Sequence, residues 1–346
     1  MTTGGTSHKF LLLQKSRHIG IWLLVAFALL AAFTYWASCP LPKNEDPVLV
    51  NVESGTSTRQ VGEILFEKKV IRSPFLFRVM ARVLGADNKL QAGEYLFEPG
   101  IFVWDTIFSL VRGKTVYYSL TVTEGLAVEE VASLIEERGF GSKERFLALA
   151  RDASLVSEFV SPEELKDTRY PLEGYLFPDT YYIRKGMSEK EIIALMLRRF
   201  SQVFTKEMRE KARSMKLSLH QVATLASLVE KEAVVDDERP IIAAVFLNRL
   251  RSGMKLDADP TVLYATGKLR GTPLYKDLQV DSPYNTYKYP GLPPGPISNF
   301  GKASLEAVLN PANVDYLYFV SRNDGTHAFS RTLSEHNKNV ARYQGK

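Results

Sequence analysis

Residues 218–234 read SLHQVATLASLVEKEAV and follow a strongly helical pattern. Ser218 and Gln221 have the spacing of a capping box, in which each side chain bonds a backbone N–H group that the helix start leaves free. Four apolar residues recur at helical spacing and define one face: Val222, Leu225, Leu228 and Val229. The pattern predicts a helix that begins after Ser218, ends near Val234 and buries this face.

One carboxylate falls on the predicted buried face. Glu232 lies inside the apolar arc, whereas Glu230 falls at its edge and Lys231 points away. Burial disfavours the charged form of a carboxyl group and raises its pKa, which is the property that a general acid needs near neutral pH. Two interpretations follow: Glu232 is a proton donor, or it makes a buried salt bridge, for example with Arg249 on the next helix.

Turn and cap signals predict the elements that follow. A second helix is expected from about Asp237 to Ser252, with Gly253 in the left-handed position that ends many helices. Residues 316–330 are expected to form a hairpin, because two strand-like runs flank the Asn-Asp-Gly turn at 323–325. The C-terminal part of the chain is therefore predicted to mix helices with a short antiparallel sheet.

A strand, a glycine turn and an amphipathic helix follow one another twice upstream. VLVNVESGTSTRQVGEIL begins at residue 48 and LTVTEGLAVEEVASLI at residue 120, which aligns Gly55 with Gly125. A second echo relates GEYLF at 93–97 to GYLF at 174–177. Either two small α+β modules lie in tandem, or strand–turn–helix units simply resemble one another.

The segment 281–296, DSPYNTYKYPGLPPGP, holds five prolines and three tyrosines and predicts a stiff, irregular loop. Tyr284, Tyr287 and Tyr289 could present flat apolar faces to sugar rings, and Asn285 could bond an acetamido or hydroxyl group. Prolines would lower the entropy cost of binding. The alternative is a structural surface loop.

Two aspartates before Pro260 admit three interpretations. Asp257 and Asp259 could supply a second catalytic carboxylate, form a metal pair, or cap a helix, and capping by Asp259 is the most economical of the three. No HExxH, CxxC or GxSxG motif occurs, and Phe108 stands where a P-loop before Lys114 would need glycine. The sequence indicates neither a phosphate-binding site nor a lysine that would form a Schiff base, as a PLP-dependent lyase would need. We therefore expect no metal and no cofactor.

An uncharged run, Ile19 to Ala37, lies near the N-terminus. As a helix its 19 residues would span roughly 28 Å, close to the ~30 Å hydrocarbon core of a bilayer. Lysines and an arginine precede it and no cationic excess follows, so the positive-inside rule predicts a cytoplasmic N-terminus and an extracytoplasmic remainder. A cleaved signal peptide, or a lipoprotein signal ending at Cys39, are the alternatives to this single membrane anchor.

Composition narrows the class of protein further. The chain has 346 residues, 45% of them hydrophobic, which suits about two globular domains beyond the anchor. A single cysteine excludes an intrachain disulfide. The net charge of +5 fits an anionic matrix or a membrane surface, and no lysine or arginine run of the nucleic-acid-binding type occurs.

Four stretches, in this order, resemble the MltG (YceG-like) family of endolytic murein transglycosylases. They are LASLVEKEA (225–233), RPIIAAVFLNRLRSGMKLDADPTVLYATG (239–267), SPYNTYKYPGLPPGPISNFG (282–301) and YLYFVSRNDGTHAFSRTLSEHN (316–337). Any one alone would be weak, but four in sequence are specific. The similarity is densest from about 218 to 342, and residues 48–113 resemble the family's LysM-like part more loosely.

The resemblance implies cleavage, without water, of the MurNAc–GlcNAc β-1,4 bond inside nascent peptidoglycan strands. The product would carry a 1,6-anhydro-MurNAc end, and the cut would help to terminate glycan elongation. The catalytic residue it implies is the second glutamate of the Glu-Lys-Glu triplet, Glu232, which the helical pattern also selects. The expected partners of the protein are peptidoglycan strands, the membrane and the synthases that extrude new strands, and no nucleic acid is expected. We expect eight further residues to bind substrate: Asn248, Asp259, Thr261, Tyr284, Asn285, Tyr287, Pro294 and Gly295.

The resemblance and the patterns together predict an α+β fold in six segments. These are a cytoplasmic N-terminus (1–18), a transmembrane helix (19–37), a linker (38–47), a LysM-like module (48–115), an intermediate α+β segment (116–215) and a catalytic core (216–346). Two other functions stay open. A muramidase would pair Glu232 with Asp257 or Asp259 to activate water, and a membrane-tethered glycan-binding scaffold would cut nothing.

Overall fold

The computed structural model describes residues 47–98 and 100–345 and seven positions between Trp22 and Tyr35. The predicted membrane helix at 19–37 therefore lies largely outside the described residues, as do segment 1–18 and Cys39. Among the residues that are described, no helix is both long enough and apolar enough to cross a bilayer.

The described chain forms two compact units. The first runs up to Tyr118 and takes in Arg184–Gly186, and the second comprises Ser119–Ile183 and the chain from Met187 onward. The boundary falls near the predicted end of the LysM-like module at 115. Both units mix helices with two-stranded sheets, so the fold is α+β and, in the described part, mostly helical.

The first unit packs three helices against one two-stranded antiparallel sheet. Its elements are β1 (Val48–Val52), α1 (Thr58–Glu67), α2 (Pro74–Val83), β2 (Gly93–Phe97) and α3 (Val103–Arg112). Strands β1 and β2 pair antiparallel, with Val48 opposite Phe97. The helices bury one apolar face each beneath this sheet, and fully buried Phe77 and Tyr95 are the largest side chains there.

The second unit contains the remaining elements. They are β3 (Tyr117–Thr121, which begins in the first unit), α4 (Val128–Glu137), α5 (Lys143–Ala150), β4 (Thr180–Arg184), α6 (Glu189–Val203), α7 (Lys206–Ser214), α8 (Leu219–Glu232), α9 (Arg239–Arg251), α10 (Asp259–Thr266), α11 (Lys302–Leu309), β5 (Tyr318–Ser321), β6 (His327–Ser330) and α12 (Leu333–Tyr343). One continuous hydrophobic core extends from Leu120 to Leu309. The predicted segments 116–215 and 216–346 therefore share a core.

The strand–turn–helix repeat predicted from the sequence is present in both copies. A glycine with positive φ separates β1 from α1 and β3 from α4: Gly55 at +85° and Gly125 at +79°. The second echo has no structural counterpart, because GEYLF at 93–97 forms β2 whereas residues 174–177 lie outside the strands. Strand β4 pairs with β3 and occupies the position equivalent to β2. The backbone at 174–177 turns instead because Asn299 binds it.

The amide of Asn299 connects segments that are far apart in sequence. Its Oδ1 accepts hydrogen bonds from the backbone N–H groups of Gly174 and Leu176, both at 3.1 Å, and its Nδ2 donates to the carbonyl of Leu126 at 3.0 Å. The side chain is fully buried, so water cannot replace these bonds. Asn299 thus fixes the turn at 174–177 against the start of α4.

We expect Asn299→Ala to lower the free energy of unfolding by about 2–4 kcal/mol, because two buried N–H groups lose their acceptor. Thermal and denaturant unfolding of the purified chain measure this change. The matched control is Asn310→Ala on the surface, whose single exposed bond to Glu306 should matter by less than ~0.5 kcal/mol. Equal effects of the two substitutions would contradict the structural role of Asn299.

Candidate active site

Helix α8 carries Glu232 as its last residue. The predicted capping box is confirmed: Ser218 Oγ accepts from the Gln221 N–H at 3.1 Å, and Gln221 accepts from the Ser218 N–H at 2.9 Å. The predicted apolar face is fully buried. The helix ends two residues earlier than Val234, because Ala233 is already extended. Glu232 therefore lies half-buried where the chain leaves the core.

In the Glu-Lys-Glu triplet, Glu230 and Lys231 bond to neighbouring segments, whereas Glu232 does not. Glu230 makes a buried ion pair with Arg239 at 3.2 Å, their side chains being 7% and 10% exposed. The same Glu230 oxygen accepts from the Gly301 N–H at 3.1 Å and from Ser304 Oγ at 2.7 Å. Lys231 donates to the carbonyl of Gly125 at 3.2 Å. Glu232 has no hydrogen-bond or ion-pair partner within the described parts of the chain.

The salt bridge considered between Glu232 and Arg249 does not form. Arg249 instead pairs with Asp257 at 3.1 Å and donates to the carbonyls of Leu256 and Leu317 at 2.9 and 2.6 Å. Its guanidinium also lies 5.1 Å from the centre of the Tyr318 ring. Because Arg249 is bonded to these partners and not to Glu232, it gives the Glu232 carboxyl no direct counter-charge.

Glu232 opens into a cavity of about 470 Å³. Helices α8, α9 and α10, the 281–296 loop, the β5–β6 hairpin and α12 contribute the walls. The polar lining residues are Glu232, Arg249, Asp257, Asp259, Tyr287, Tyr318, Ser321, His327, His336 and Gln344. Burial raises the pKa of Glu232 to about 8, and the negative charge of Asp259 adds to the effect. The carboxyl group is therefore largely protonated at neutral pH.

Asp259 and Tyr287 meet in the wall of the same cavity. The Tyr287 hydroxyl donates to Asp259 Oδ1 at 2.7 Å, and burial together with this bond raises the pKa of Tyr287. The prediction that Asp259 caps α10 is wrong, since the helix begins at Asp259 itself and Ala258 is the N-cap. The Asp259 carboxylate is thus released from the backbone and faces the cavity that holds Glu232.

Two of the predicted substrate-binding residues shape the loop at 281–296. Asn285 is fully buried, donates to the carbonyls of Leu278 and Val280, and accepts from the Tyr287 N–H at 3.1 Å. Thr261 is equally buried and bonds Thr286 at 2.9 Å. Neither lines the cavity. Their contacts hold the loop against α10, so that Tyr287 reaches Asp259.

Four other predicted binding residues lie elsewhere in the second unit. The Asn248 amide donates to the carbonyls of Val314 and Tyr316. Tyr284 lines a separate cavity of about 360 Å³ beside Arg169. The Pro294 carbonyl accepts from His220 at 2.7 Å, and a Cβ at Gly295 would lie only 2.9 Å from Thr168 Cγ2 and 3.1 Å from His220 Cε1. The structure thus brings together Glu232, Asp259 and Tyr287 and separates the remainder.

The β5–β6 hairpin and α12 form a wall that the sequence did not connect with Glu232. The predicted hairpin is confirmed, with Asn323 and Gly325 at positive φ in its turn. Tyr318 and His327 on its strands, and His336 on α12, line the cavity. Sequence spacing holds no signal for this approach, because Tyr318, His327 and His336 follow Glu232 by 86, 95 and 104 residues. The described residues contain no cluster of three potential ligands around a metal position, and Asp257 is engaged by Arg249.

Comparison with known proteins identifies relatives along almost the whole chain. The sequence model of the YceG-like family matches residues 50–342. An endolytic murein transglycosylase of Bacillus subtilis (strain 168) is 39% identical over 328 residues, covering 90% of both chains. The protein of that name from Streptococcus pneumoniae serotype 2 is 30% identical over 361 residues, covering 93% of this chain and 64% of its own.

A solved structure agrees in fold. The crystal structure of a YceG-like protein from Listeria monocytogenes, at 2.6 Å, superposes with a TM-score of 0.61 and 36% sequence identity. The match covers 85% of this chain and 99% of that one. With a family model that spans residues 50–342 and relatives of this similarity, the chain belongs to the YceG-like family.

Proposed function

We propose that this chain is an endolytic murein transglycosylase in which Glu232 is the general acid and then the general base. The observation that supports it is a carboxyl group with no partner among the described residues and a pKa of about 8, open to a cavity in the wall of the second unit. The relatives' activity and the geometry of Glu232 agree, because transglycosylation needs a group that gives and takes back one proton.

The first step breaks the glycosidic bond. Protonated Glu232 donates its proton to the oxygen that links C1 of MurNAc to GlcNAc, and the C1–O bond breaks with its electron pair going to that oxygen. GlcNAc leaves with a new hydroxyl group. Positive charge develops at C1 and the ring oxygen, and the Asp259 carboxylate, held by Tyr287, is placed on the cavity wall to stabilise it.

The second step closes the ring. The C6 hydroxyl of the same MurNAc attacks C1 and forms the C1–O6 bond, while the Glu232 carboxylate accepts the hydroxyl proton. The product is 1,6-anhydro-MurNAc, and Glu232 is again protonated. No water is consumed, so no second carboxylate is needed as nucleophile or as base for water, in contrast to the two-carboxylate glycosidases.

Product analysis separates this function from its two alternatives. Mass spectrometry of a peptidoglycan digest should find 1,6-anhydro-MurNAc ends at positions internal to the original strands. Reducing MurNAc ends without anhydro ends would instead indicate a muramidase that uses Asp257 or Asp259 to activate water. Intact strands would indicate a glycan-binding scaffold.

The two glutamates of the triplet provide a matched pair of variants. Glu232→Gln should lower the rate of strand cleavage by ~10²–10⁴-fold, because the amide has no proton to donate, and should leave the melting temperature unchanged or raised. Glu230→Gln should lower the stability by about 2–4 kcal/mol, because Arg239 loses its buried counter-charge, yet retain cleavage by the folded fraction. Wild-type cleavage by Glu232→Gln would exclude it as the acid.

The pH dependence of cleavage follows from the protonated form of Glu232. With a pKa of about 8, the acid is present at neutral pH and disappears as the pH rises through 8, so the rate should fall on the alkaline side. Asp259→Asn removes a charge that raises this pKa and should move the alkaline limb to lower pH. Asp167→Asn, on an exposed residue outside the cavity, should leave the limb in place. Identical profiles for all three proteins would contradict the coupling.

We further propose that the protein is located at the cytoplasmic membrane and crosses it once, at residues 19–37. The N-terminus would lie in the cytoplasm and both units on the extracytoplasmic side. The uncharged run and the cations before it support this orientation. The substrate would then be glycan emerging near the bilayer, and the synthases that make it would be neighbours. The cut would help to terminate strand elongation.

A tethered active site should act at a set distance from the bilayer. Lengthening the linker at 38–47 with a flexible Gly/Ser insertion should increase the mean length of the released strands, because the catalytic unit then reaches further from the membrane. Strand-length analysis of cell-wall digests measures this. The control is an insertion of equal length at Gly139, in an exposed turn of the second unit that does not line the cavity, and it should leave the strand length unchanged.

A further inference from the structure

His327 in the wall of the Glu232 cavity is paired with a carboxylate, Glu238. Glu238 Oε2 contacts His327 Nδ1 at 2.7 Å, and Glu238 Oε1 accepts from the His327 backbone N–H at 3.0 Å. The two side chains are only 13% and 8% exposed. Both oxygens of one carboxylate therefore hold one histidine, through its backbone and its ring.

The pairing determines which ring nitrogen carries the proton. A carboxylate accepts hydrogen bonds, so His327 Nδ1 is the donor and, in the neutral ring, Nε2 carries the lone pair. Nε2 has no hydrogen-bond partner among the residues that the structure describes. The ring is steadied at the sides by Phe319 at 5.4 Å, edge to face, and by Phe329 at 6.2 Å.

The pair also joins the hairpin to the catalytic segment. Glu238 ends a short 3-10 turn, Asp236–Glu238, that begins four residues after Glu232, and His327 opens strand β6. Both His327 and Glu232 line the same cavity of about 470 Å³. His336 lines it as well, but its Nδ1 is buried without a partner and its ring stacks on Tyr318, so nothing fixes its tautomer. His327 is the imidazole whose free nitrogen has a defined chemistry.

We infer that His327 binds the glycan through Nε2, which accepts a hydrogen bond from a hydroxyl or acetamido N–H group of the sugar in the cavity, and that Glu238 is a positioning residue that holds His327 in the accepting tautomer. The identity of the substrate rests on the proposed function. The assignment of His327 itself rests on the two Glu238 bonds and on the position of its ring in the wall of the cavity that Glu232 also lines.

Two substitutions separate binding from structure. His327→Asn keeps an amide donor for Glu238 but places nothing at the Nε2 position, and Glu238→Gln keeps the bond to the His327 backbone while donating to Nδ1, which transfers the ring proton to Nε2. Each should reduce kcat/KM for glycan, measured per folded protein, about tenfold, the usual value of one hydrogen bond. Wild-type kcat/KM in both variants would overturn the inference.

The ring nitrogens report the tautomer directly. The full chain is labelled with ¹⁵N at its five histidines, and the His327 signals are assigned by their loss in His327→Asn. In the wild-type protein these signals should show the proton on Nδ1, and in Glu238→Gln they should show it on Nε2. Adding a soluble GlcNAc–MurNAc oligosaccharide to Glu232→Gln should shift the Nε2 signal. If the His327 Nε2 signal does not shift at a saturating concentration of the oligosaccharide, the inference is overturned. This readout does not depend on whether the His327 or Glu238 variants fold. Failure of the proposed function would instead appear as strand cleavage by Glu232→Gln, so the two outcomes are distinguishable.

Discussion

The site depends on one constraint: Glu232 is a half-buried carboxyl group for which the described chain supplies no counter-charge. It ends helix α8, where the helix dipole is negative and disfavours a second negative charge. Two arginines of the same unit pair with other carboxylates, Arg239 with Glu230 and Arg249 with Asp257. Burial and the Asp259 charge then keep the carboxyl protonated at neutral pH. Loss of hydration around the Glu232 carboxyl costs stability when the group is charged, and by raising its pKa the same effect keeps it as a proton donor.

Much of the surrounding structure maintains this arrangement. Glu230, two residues earlier, accepts bonds from Arg239, Ser304 and the Gly301 backbone, and so anchors the end of α8 to α11. On the other side, the buried amide of Asn285 shapes the proline-rich loop that carries Tyr287 to Asp259. Residues predicted to touch the glycan thus contribute to the site by fixing the backbone that presents other side chains.

Local signals in the sequence predicted the local features well. The capping box at Ser218, the apolar face of α8 and the Asn-Asp-Gly hairpin turn are confirmed, because each depends on residues a few positions apart. The tertiary contacts could not be read in this way. Asp259 looked like a helix cap, and only the approach of Tyr287 from 28 residues away shows its other use. GYLF at 174–177 resembles the strand GEYLF at 93–97 in sequence, but its backbone N–H groups donate to Asn299 and it forms no strand.

The protonation of Glu232 in the folded protein can be measured without substrate. Difference infrared spectroscopy between the native chain and Glu232→Gln, as a function of pH, isolates the C=O stretch of this one protonated carboxyl group. The structure predicts that the band is present at neutral pH and disappears with a midpoint near pH 8. A band already lost near pH 4.5, the ordinary value for glutamate, would show that Glu232 is ionised at neutral pH and would contradict its role as the acid.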